Sequence, residues 1–160
     1  MANQGSGATA FFKMLDTLKL NLLEDVNINT CTYGDLAQID LNKQSIFPLA
    51  HIVPNSATVN DNGQTITFSV TLILMDQVDV SKEAPRDIFY GVTNEQFILN
   101  TMLAVGNRLF SRFKGSDLRL QGYQCDGTMS AEPFYQRFEN QLAGFACTFD
   151  LTFKNDIYVC

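Results

Sequence analysis

His51 is the chain's one histidine, and histidine is the side chain best suited to move a proton near neutral pH. To act as a base for a nucleophile it would need a serine or cysteine held against it, as in Ser–His or Cys–His pairs. The sequence marks out no such partner. His51 sits between Ala50 and Ile52 in an apolar run, which points to a structural histidine within a strand. Cys31, Cys125, Cys147 and Cys160 are widely scattered, with no Cys-x-x-Cys pair to hold zinc or run thiol exchange. They read as reduced structural thiols of a protein folded in a cytoplasm, the alternative being a disulfide between Cys125 and Cys147. Asp76, Asp79, Glu83 and Asp87 form a loose acidic group, but they lack the fixed ligand order and central glycine of a known calcium loop. A solvated acidic loop is the simpler reading.

Phosphate chemistry has no better foothold. No Gly-x-x-x-x-Gly-Lys loop occurs, no Gly-x-Gly-x-x-Gly follows a strand, and Gly5 and Gly7 near the start are too weak a signal. Arg108, Arg112, Lys114 and Arg119 cluster in a way that would suit nucleic acid, yet a net charge of −6 opposes that use. Complementarity to the carboxyl end of a helix accounts for them. No catalytic residue, metal ligand or cofactor site is therefore assigned, and the chain is read as a non-enzyme.

The elements that would position any site are better specified. A chain of 160 residues, 46% hydrophobic and 18% charged, suffices for one globular domain, which buries roughly 70% of its extended-chain surface. Residues 1–8, without a basic or hydrophobic signal segment, read as a flexible arm, and 9–160 as a single α+β domain. No apolar run approaches the roughly 18 residues a membrane-spanning helix needs. Phe11, Leu15, Leu18 and Leu22 recur at helical spacing and predict a first amphipathic helix over 9–24, with Asp16 and Lys19 on its other side. Residues 28–40 favour extended structure interrupted at Gly34 and Asp35. Ile46–Pro54, bounded by prolines, predicts a short or edge strand.

Asn60–Gly63 tolerates positive φ and predicts the turn of a long hairpin. Along 64–79, Ile66, Phe68, Val70, Leu72 and Leu74 share one face and Thr65, Thr67, Ser69 and Thr71 the other, until Ile73 and Met75 turn that second face apolar too. Part of the second face must therefore be covered. The segment 78–91 is charged, contains Pro85 and is too long for a routine connection. Thr93 and Gln96 fit a capping box opening a second helix with the stripe Ile98, Met102, Val105 and Leu109, widened by Leu99, Leu103, Phe110 and Phe113 and stopped at Gly115. Extended pieces over 117–124 and 127–136 lead to a closing strand, where Phe145, Cys147, Phe149, Leu151 and Phe153 alternate with Ala146, Thr148, Asp150 and Thr152. The order argues for one mainly antiparallel sheet packed by two amphipathic helices.

Cys31–Asp35, Ile46–His51, the threonine-rich strand, the second helix, Glu132–Phe134 and the run from Arg137 through Asp156 together resemble small neck and tail-completion proteins of tailed bacteriophages. The likeness is greatest to those of crAss-like and other Bacteroidetes phages. It implies a virion structural protein, made in the host cytoplasm, that forms a connector or tail-terminator ring of about six or twelve copies. Portal, neck or tail proteins would be its neighbours, and DNA would pass through without specific binding. Arg86, Asp87, Ile88, Phe89 and Tyr90 are expected to form a subunit-interface arm, since they join solvated charge to an aromatic pair suited to burial on a neighbour. Two other classes compete. One is a small-molecule-binding or enzymatic α+β domain with a pocket around Tyr33, His51 and Tyr123; the other is a host adaptor binding a partner through 78–91.

Overall fold

The computed structural model describes residues 9–39, 44–60, 63–79, 94–115, 124–125, 127–137 and 141–154. The arm at 1–8, the segment 80–93 with its proposed interface residues, 116–123, Asp126 and Cys160 lie outside them. The fold is α+β. A five-stranded sheet runs in the order β1-β2-β3-β5-β4, with β1 Thr30–Tyr33, β2 Leu49–Val59, β3 Thr65–Gln77, β4 Ser130–Arg137 and β5 Leu142–Lys154. Two helices, α1 Thr9–Leu23 and α2 Glu95–Lys114, pack on one face. Only β1 and β2 pair in parallel; the other three pairings are antiparallel.

The period-two pattern in β3 and β5 sorts the sheet's faces as expected. Phe68, Val70, Leu72 and Leu74 in β3, with Cys147, Phe149, Leu151 and Phe153 in β5, are buried beneath the helices. Against them α1 sets Ala10, Met14, Leu18 and Leu22, flanked by half-buried Phe11 and Leu15. From α2 come Ile98, Met102, Val105, Leu109 and Phe113, while Leu103 is exposed instead of widening the stripe. Each of these large side chains contributes about 1.5–3 kcal/mol by leaving water. Gly106 brings α2 close over β5, since a Cβ there would meet the Cys147 Sγ at 2.9 Å. Gly144 is held by closer quarters still: a Cβ would lie 1.8 Å from the Leu74 carbonyl oxygen.

The second face is divided. At one end Phe47, Leu49, Met75, Phe134 and Leu142 form a separate small core, with Leu36, Ile39, Ile46 and Ile73 packed on it. This is the cover that Ile73 and Met75 demanded. The other end of that face is mainly polar, with Thr65, Thr67, Ser69 and Thr71 opposite Lys154, Thr152, Asp150 and Thr148.

One expectation needs correction. The Ile46–Pro54 region is not a short strand, because β2 is 11 residues long; β1 pairs with it through Ile52, and only from Val53 on is β2 an edge. The carbonyls of Pro48 and Ile52 accept from β1 and the residue after it, so position 54, of the same parity, aims its missing amide at the β1 side. There β1 has already ended, and no ladder bond is lost. The capping-box reading rests on Thr93, which lies outside the described residues; the residue that precedes the second helix is Asn94, whose side chain makes no capping bond to it. The Asn94 side-chain carbonyl accepts the Asp79 amide at 2.7 Å, tying the helix start to the end of β3.

Candidate assembly surface

Of the pocket residues, His51 and Tyr33 do not come together. His51 is fully buried, its Nε2 donating to the Gly34 carbonyl at 2.9 Å and its Nδ1 accepting from the Thr32 hydroxyl at 2.8 Å. A carbonyl only accepts, so the ring is the neutral Nε2–H tautomer. Burial pushes its pKa below the usual histidine value against the opposing pull of Gly34 and Asp35. Tyr33 is 63% exposed, and Tyr123 lies outside the described residues. His51 is thus a clasp between neighbouring strands. Burial likewise pushes the Cys147 thiol up to about 11, as a buried hydrophobe requires.

Of the basic cluster, Arg108 and Arg112 are accounted for, and Arg119 lies outside the described residues. Arg108 reaches Asp25 with two hydrogen bonds, from Nε at 2.8 Å and Nη2 at 3.0 Å, and Arg112 pairs with Glu24 at 2.8 Å. These pairs join α2 to the end of α1 and border a cleft of about 380 Å³ that includes Asn21, Asn27 and Val105. Their geometry goes beyond the helix-end complementarity expected of them. Asp76 spends its carboxylate on the Gln77 amide, and no cluster of three metal-binding side chains occurs among the described residues. Glu83 and Asp87 lie outside those residues. No helix of the described residues is long and apolar enough to cross a membrane.

What remains is the open end of the sheet's second face. Cross-strand pairing sets Thr67 opposite Thr152, Ser69 opposite Asp150 and Thr71 opposite Thr148. The hydroxyls of the first and third pairs bond at 2.9 and 3.0 Å, and Asn55 Nδ2 donates to the Thr71 hydroxyl at 2.8 Å. Ser56 and Thr58 in β2 extend this surface and are exposed. The threonines bond one another rather than a base, so the array does not activate a nucleophile. It offers instead a hydroxyl-rich surface that includes the exposed Asp150 and Lys154, with hydrogen-bonding capacity left for a partner or water.

The outer edges of the sheet differ from its face. Thr152 exchanges backbone bonds with Gln124 on the β4 side of β5, so even-numbered β5 residues point that way and Phe145 points toward β3. Pro133, opposite Phe145, therefore turns its missing N–H outward. With the irregularity between Phe134 and Arg137, this blunts the β4 edge against strand addition. The cue was legible as Pro133 itself, but its direction needed the register. No known protein family matches this chain, and no curated protein matches it either.

Proposed function

We propose that the chain is a virion structural protein forming a homo-oligomeric ring at the head–tail junction or in the tail of a tailed phage, through which DNA passes. The observation that carries this reading is the sheet itself, packed by helices on one side and bearing an open hydroxyl array on the other. A subunit whose task is to be tiled needs such a surface: polar enough to keep the monomer soluble, flat enough to meet a neighbour or line a bore. Pro133 blunts the β4 edge, which supports a ring contact made through the face rather than that edge. Charge supports the conduit role, because six copies at −6 each carry about 36 negative charges, which discourages DNA from adhering as it slides.

The deciding measurement is the mass of the purified protein in solution, by light scattering, with negative-stain images of the same sample. Closed rings are expected at high concentration, together with the protein's presence in purified virions. A strict monomer that is also absent from virions would overturn the reading.

A further inference from the structure

β1 spans four residues and covers β2 only through Ile52. Beyond it, Val53–Val59 keeps an outer edge with no backbone partner among the described residues, and Asn55–Val59 is exposed throughout, Val59 by 57%. The register shift between Pro54 and Ser56 reverses the parity of the strand. After it, Asn60 donates to the Thr65 carbonyl, so Ser56 and Thr58 share their backbone groups with β3 while Ala57 and Val59 point theirs outward. From Ser56 to Val59 this edge, unlike that of β4, is regular and carries no proline.

We propose that two copies of the chain pair through this edge, antiparallel, across a two-fold axis at Thr58. In that register Ala57 of each copy faces Val59 of the other, and each pair exchanges two N–H···O=C bonds, giving four in all. Thr58 lies opposite its own counterpart as a non-hydrogen-bonded pair. A register centred on Ala57 would use the irregular Asn55 instead. The occupant is a second copy because the edge is self-complementary in charge. Val53–Val59 holds no charged residue in a chain of net charge −6, so this is where two such molecules meet without like charges opposed. Small side chains at Ser56, Ala57 and Thr58 let the backbones approach. The strands alone bury less than the about 1,200 Å² of a stable complex, so the dimer is concentration-dependent. Pairing of this kind does not rest on the ring reading; within a ring it would join two rings back to back.

Sedimentation velocity of the whole chain between about 10 µM and 1 mM tests it. The expected result is a monomer-to-dimer shift, or twofold growth of whatever ring exists. Ala57→Pro removes only an outward N–H and should abolish that shift with an unchanged circular dichroism spectrum; Ala57→Asp, at the same exposed position, gives the same readout should the proline variant unfold. Thr58→Cys under copper phenanthroline should form a disulfide dimer well above the wild-type background. An unchanging mass for wild type over the whole range, a dimer that survives both Ala57 substitutions, or no excess crosslinking would each overturn the proposal. Loss of rings in wild type with dimers retained would count against the ring alone.

Discussion

His51 shows how a residue of catalytic type becomes architecture. Both ring nitrogens are spent, one on Thr32 and one on Gly34, and water does not reach it. Because burial lowers its folded-state pKa, the unfolded chain takes up a proton first as pH falls. The sign follows directly: below about 6.5 the unfolded state binds more protons, so this histidine's contribution to stability is present at neutral pH and is lost on acidification. Thermal melts between pH 7.5 and 5.5 should show a falling midpoint. His51→Leu should remove that slope while costing about 1–3 kcal/mol at pH 7.5, since the Gly34 carbonyl loses its donor. An equal slope in the variant would assign the titration elsewhere.

At the scale of elements, β5 makes the sharpest test, because adjacent residues face opposite environments. Phe149 is buried beneath Phe110 and Phe113, with ring centroids 6.2 and 6.3 Å away. Thr148 lies on the hydroxyl face. Phe149→Asp should unfold the chain, a loss of at least about 4 kcal/mol for an unpaired buried carboxylate and a lost ring. Thr148→Asp should leave the denaturation midpoint within about 1 kcal/mol and weaken assembly. Comparable losses in urea titrations would refute the face assignment.

This alternation was legible because period two follows from local geometry alone. The hairpin at Asn60–Gly63 was legible for a similar reason: it shows in the residue types that accept positive φ, and Gly63 has φ of 68°. Less was legible where position depends on a neighbour. Pro54 reads as the bound of a short strand, yet its harmlessness within β2 follows from where β1 stops. The Arg108–Asp25 pair joins residues 83 positions apart, which no local spacing announces. The hydroxyl face was foreseen as a composition, but its cross-strand bonds came from the β3–β5 register.

For the whole molecule, charge sets the relation to DNA. Among the described residues no free arginine patch relieves the net −6, since Arg108 and Arg112 are held by Asp25 and Glu24. Duplex DNA at physiological salt should therefore bind with a Kd of about 10⁻⁴ M or weaker. Submicromolar affinity in fluorescence anisotropy would refute a passive conduit.

The strand order carries a kinetic consequence. β3 finds its hairpin partner β2 within a few residues, but its other neighbour, β5, begins 65 residues after β3 ends, with pairs such as Thr67 and Thr152 separated by 85. Closing such a loop precedes any reward from the contacts, which slows folding toward the millisecond-to-second regime of non-local sheets. During synthesis the β2–β3 hairpin and α2 exist before β5 has emerged, so the hydroxyl array, which needs Thr148 and Thr152, is completed last. On the proposed reading, tiling through that face would be deferred until the subunit is whole.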